Sequence, residues 1–99
     1  MKILEDNRRE SGWITCVIEG RWVQAKVYDE PSDYGVYKGR VSKLAIGKCD
    51  HTRPFENFFE QMAYNYDRGL DFNNLPKGLL KKIVNELEKL PRAFSPQIS

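Results

Sequence analysis

Between Gly12 and Tyr28 two strand-like runs lie on either side of a glycine, and no other feature of the sequence limits the fold as much. Gly12–Glu19 is rich in β-branched residues (Ile14, Thr15, Val17, Ile18), which predicts a strand. In Trp22–Tyr28, Val23, Ala25 and Val27 alternate with Gln24, Lys26 and Tyr28, the two-residue period of a strand with one buried face. Gly20-Arg21 between them reads as a tight hairpin turn, because glycine takes positive φ without a steric cost. The alternation also assigns faces. Ile14, Cys16, Ile18, Val23, Ala25 and Val27 share one side, and Trp13, Thr15, Val17, Trp22, Gln24, Lys26 and Tyr28 share the other.

The first side needs an apolar cover, and the C-terminal third supplies one. Leu75, Leu79, Leu80, Ile83, Val84, Leu87 and Leu90 form a single stripe at helical spacing. The predicted helix covers about 75–90, with Asn74 as cap, Pro76 in the first turn and Pro91 as stop. Lys89 and Arg92 suit its negative end. A third strand is expected from Gly39 to Ile46, closed by Gly47. Asp50, Thr52 and Pro54 look like a helix start, so a short helix is expected near 54–60. Phe55, Phe58, Phe59, Met62, Ala63 and Tyr66 fall at helical spacing, yet Met62, Tyr64 and Tyr66 also alternate; the reading adopted is a fourth strand over 61–67. The expected fold is α+β, an antiparallel meander of three to four strands packed against the C-terminal helix. Residues 12–91 form its single domain. Residues 1–11 are expected to be flexible, with Ile3 and Leu4 able to add a short edge pairing, and 92–99 form a flexible tail.

Ninety-nine residues suffice for one core. The net charge of +2 gives no bulk attraction to nucleic acid. Two cysteines, Cys16 and Cys49, are not a disulfide scaffold and point to a reducing cytoplasm. Cys16 falls mid-strand on the core face and reads as a small hydrophobe. With His51 they are three potential zinc ligands where a structural site takes four, so no metal and no cofactor are expected. Cys49 and His51 are too close in one loop to orient as nucleophile and base. The opening MKILEDNRRE has no apolar core of a signal peptide, and no window is apolar enough to span a membrane.

Two segments stand out against this ordinary background: YDEPSDYGVYKGRVSKL at 28–44 and YDRGLD at 66–71. Pro31, Ser32, Asp33 and Gly35 make the first a loop at the end of strand two. In a meander, strand four returns Asp67-Arg68-Gly69 to the same edge, so the segments meet there. The candidate contact surface is Tyr28, Asp29, Glu30, Ser32, Asp33, Tyr34, Arg40 and Lys43 with Tyr66, Asp67, Arg68 and Asp71, flanked by Trp22. The carboxylates have the chemistry of general acids or cation ligands. They also have a structural reading, in which Ser32 and Asp33 cap turns while Asp29 and Glu30 pair with Arg40 or Arg68. Arg40, Lys43 and Arg68 are able to grip an anion. Trp13, Trp22 and Tyr28 with Lys26 would stack on bases, anchor a protein, or form a second small core under Phe55, Phe58 and Phe59.

At 28–46 and 65–71 the chain resembles a family of small bacterial and bacteriophage proteins with no assigned activity. That family carries a strand, a YDEPS-x-YG loop, a GR-[IV]-SKL strand and a YDRG-x-D segment. The resemblance implies a bacterial or phage source, supports a strand at 61–67, and supplies no catalytic residue. Leu70 stands where the pattern has an aromatic residue, and the aromatic-rich segment before Tyr66 departs from it.

The function expected from these residues is non-catalytic: a small intracellular accessory protein that contacts another protein through the 29–40 loop and the 67–71 turn. Two rivals are carried. One is a single-stranded nucleic-acid module using the aromatic face with Lys26, Lys38, Arg40 and Lys43. The other is a small enzyme or ligand sensor built on Asp29, Asp67 and Arg68.

Overall fold

A computed structural model describes residues 1–50 and 57–93. Six strands form one antiparallel sheet in sequential order: β1 Lys2–Asn7, β2 Trp13–Ile18, β3 Arg21–Val27, β4 Val41–Gly47, β5 Met62–Asp67 and β6 Leu70–Asn73. Among the described residues two α-helices accompany the sheet, a single turn α1 Phe58–Gln61 and the longer α2 Leu79–Glu88, with a 3-10 turn at Val36–Lys38. The meander and its C-terminal helix are as expected, with two strands more. The expected helix near 54–60 is seen from residue 58; its first residues, with His51 and Phe55, lie outside the described residues.

The β2–β3 hairpin forms with the predicted faces. Ile14, Cys16, Ile18, Val23, Ala25 and Val27 are all buried in the main core. The turn sits one residue earlier than predicted. Ile18 pairs with Arg21, so Glu19 and Gly20 make the turn, both at positive φ (52° and 71°). Residues 61–67 resolve as strand, because Tyr64 pairs with Ile46 and is buried against the same core while Asn65 faces the other way. Ile83, Val84, Leu87 and Leu90 of α2 and its C-terminal extension close that core.

α2 begins four residues later than its apolar stripe predicts. The Asn74 N–H is spent on the Ala63 carbonyl (2.7 Å), and Asn73 Oδ1 accepts from the Leu75 N–H (3.0 Å). Gly78 then takes φ 85°, which no helical residue has, so the helix starts after it. Asn74 is therefore part of the return from β6, not the cap.

On the other face Trp22, Ala45 and Met62 form a second cluster, with Phe58 and Phe72 packed against it. Trp22 is only 7% exposed. Phe58 thus joins the second core anticipated for the aromatic face, whereas Phe59 stays 71% exposed and meets the ring edges of Phe58 and Phe72.

Candidate functional site

β3 ends at Val27 and β4 starts at Val41, so residues 28–40 cross one edge of the sheet. A bulge shapes that edge. Lys26 pairs with Lys43 and Val27 with Val41, leaving Ser42 as the extra residue. The freed Ser42 carbonyl accepts the Arg68 N–H (3.2 Å), and Lys43 Nζ lies 3.6 Å from Asp67 Oδ1. The Tyr66 hydroxyl donates to the Tyr34 carbonyl (2.8 Å). The two motifs therefore meet at one edge, as the meander requires.

The first motif has two sides with different jobs. One side clamps the end of α2. Arg40 donates through Nη1 to the carbonyls of Glu88 (3.1 Å) and Leu90 (2.7 Å) and through Nε to that of Tyr28 (2.8 Å). Its backbone N–H donates to Glu88 Oε2 (2.8 Å). Asp29 Oδ1 accepts the Ala93 N–H (2.9 Å), and Glu30 pairs with Arg92 (2.8 Å). The expected pairing of Asp29 and Glu30 with Arg40 or Arg68 is therefore replaced by contacts with residues 92 and 93. Arg92 and Ala93, assigned to the flexible tail, both bond the loop.

A second arginine completes the clamp, and the sequence reading missed it. Arg8 is buried, forks onto both carboxylate oxygens of Asp6 (3.0 Å each) and donates to the Pro91 carbonyl (2.7 Å). The hydrogen bonds from Arg8 hold the Asp6 carboxyl below its usual range, against the opposing effect of partial burial. The last carbonyls of a helix carry partial negative charge and lack intrahelical partners. Arg40 and Arg8 satisfy these and the carbonyls just beyond, where Lys89 and Arg92 were expected to act. Lys89 instead faces Glu86 at 3.8 Å.

Two glycines let the loop fold this tightly. A Cβ on Gly35 would collide with the backbone of Gly39, and one on Gly39 would collide with the Glu88 carboxylate.

The other side of the motif is open. Tyr28, Ser32, Tyr34, Ser42, Lys43 and Arg68 line a groove of ≈ 580 Å³. Ser32 Oγ accepts the Tyr34 N–H (3.3 Å), the turn-capping role foreseen for it. Asp33 is exposed on the same loop. Lys26 Nζ stands 5.6 Å from the Tyr28 ring centre. A smaller hollow of ≈ 270 Å³ adjoins at Lys43 on the open sheet face, between Trp13, Gln24 and Asn65.

Of the candidate residues, Tyr28, Ser32, Tyr34, Lys43 and Arg68 thus share the groove. Tyr66 and Asp67 brace it from behind. Asp29, Glu30 and Arg40 turn to the helix end. Asp71 lies on β6 and accepts from Asn65 Nδ2 (2.6 Å), and Trp22 is buried beneath the other face. Among the described residues no three Cys, His, Asp or Glu are grouped to hold a metal, and no helix is long and apolar enough to cross a membrane.

The fold defines a small α+β domain, a sequential antiparallel meander closed by one helix. The chain belongs to the family described as Domain of unknown function (DUF7678), which matches residues 10–89 and so takes in the whole groove and, of the clamp, Asp29, Glu30, Arg40 and Glu88. No curated protein and no solved structure matches the chain significantly.

Proposed function

We propose that this is a small non-catalytic accessory protein of bacterial or phage origin that binds another protein through the groove between the 28–40 loop and the 67–69 turn. The observation that carries this reading is the gathering of exposed tyrosines on that loop. Tyr28, Tyr34 and Tyr37 are 43%, 70% and 65% exposed. Tyrosine and arginine dominate protein contact surfaces because they offer large, stiff, amphipathic area at low entropic cost.

Backbone strain supports the same place. Among the described residues five non-glycine residues have positive φ, and three of them, Tyr37, Lys38 and Arg68, lie on these two segments. Such conformations cost about 1–3 kcal/mol each and persist where surroundings or function hold them.

The nucleic-acid rival has less support. Arg40 is spent on α2 and Trp22 is buried, leaving Lys26 and Lys43 as its sheet-face cations. The enzyme rival loses Asp29 from the groove, since that carboxylate turns to residue 93.

The test is a pull-down from the host with wild type, Tyr34→Ala and Arg68→Asn, each first shown to fold by circular dichroism. Asparagine tolerates the left-handed backbone of position 68 while removing its charge. The expected result is a partner held by wild type and lost from both variants. A partner retained equally by both folded variants would overturn the reading.

A further inference from the structure

We infer that the groove receives a run of carboxylates, the acidic segment of a protein partner; this deepens the protein-contact reading above and rests on it. The six residues that line it carry four hydroxyls (Tyr28, Ser32, Tyr34, Ser42), two cations (Lys43, Arg68) and no carboxylate. The Ser42 hydroxyl donates to the Lys26 carbonyl (3.4 Å), and the other three hydroxyls with the two cations are a donor set for an anion.

The loop's own bonds turn two of its acids away from this lining. Of the three carboxylates within a few residues, Asp29 and Glu30 are drawn to Ala93 and Arg92 on the clamp side, while Asp33 stands exposed between Ser32 and Tyr34 without lining the groove. Asp67 is close by as well, held against Lys43 at 3.6 Å and shared with solvent.

Arg68 is the positioned cation. Its backbone is pinned at φ 58° by the bond to Ser42, and among the described residues its guanidinium has no hydrogen bond or ion pair. A fork of donors in this state is ready for a carboxylate in a bidentate pair. Tyr34 is fixed through its carbonyl by Tyr66, which leaves its ring outward beside that position.

A polyphosphate strand fits less well. It needs a stripe of cations along its length. Here two line the groove, and the next along, Lys26, lies over the Tyr28 ring.

The experiment measures fluorescence anisotropy of a labelled oligo-glutamate peptide and, separately, of a labelled oligo-thymidylate of equal charge. In parallel, a photo-cross-linking amino acid replaces Tyr34 in host cells. Oligo-glutamate should bind, and Arg68→Asn and Lys43→Gln should each weaken it by about tenfold. Oligo-thymidylate binding as tightly would overturn the inference in favour of polyphosphate. So would oligo-glutamate that fails to bind, or that binds both variants like wild type. A protein cross-linked at position 34 without oligo-glutamate binding overturns the acidic segment but leaves the protein-contact reading standing. Neither cross-link nor peptide binding removes both.

Discussion

The Arg40 guanidinium reaches the Leu90 carbonyl at 2.7 Å and so ties the GR of the first motif to the chain just beyond α2. Four bonds converge on this side chain and its N–H. Arg40→Gln leaves partly buried carbonyls without a donor, which costs about 1–3 kcal/mol. For a domain this size that lowers Tm by about 4 °C or more for each kcal/mol. Arg40→Lys should recover only part of the loss, because an ammonium cannot serve carbonyls in the spread of a guanidinium fork. Thermal unfolding followed by circular dichroism checks both.

The Asp6–Arg8 pair predicts acid sensitivity. Asp6 is depressed when folded, so its contribution is complete above the ordinary value of 3.8 and is lost as pH falls through the lowered one. Asp6→Asn should destabilise the protein near neutral pH. The gap between variant and wild type should then narrow below about pH 4. Urea midpoints measured across that range provide the test, and a gap independent of pH would contradict the assignment.

The two thiols should react differently. Cys16 is buried in the main core, and burial pushes its thiol up to about 11. Cys49 is exposed. Thiolate is the reactive form, so a disulfide reagent at neutral pH should titrate one thiol in the folded protein and two in denaturant.

Gly35→Ala should destabilise more than Gly39→Ala. The added methyl at 35 meets backbone, which cannot move without opening the loop, whereas at 39 it meets the end of the flexible Glu88 side chain. An overpacking cost of about 1–3 kcal/mol is expected at 35. Because Glu88 also accepts from the Arg40 N–H, Gly39→Ala should still be felt. Equal midpoints for the two variants in urea would count against this packing.

Much of the sheet was readable because its signal is local. Val23, Ala25 and Val27 alternate within seven residues, and the faces follow without further information. β6 was not readable: Leu70–Asn73 is four residues, all exposed but Phe72, and its start overlaps a motif that reads as a turn. β1 lacks alternation because all six residues are exposed. The shared edge of the two motifs followed from the meander alone. What failed was the pairing of charges. Asp29, Glu30, Arg40 and Arg8 all answer to residues 88–93, and nothing near them in sequence announces partners 48 to 83 residues away.

That separation bears on how the protein assembles. Every strand pairing in the sheet joins neighbours in sequence, so hairpins can accrete one after another with little loop-closure entropy. The clamp is the exception, a seam stitching both early loops to the far end of the chain. Its long sequence separation predicts that it closes late, after the sheet has organised the loops that it joins. It should also open first, as a local event whose Ala93 amide exchanges with solvent faster than the amides of β3 and β4.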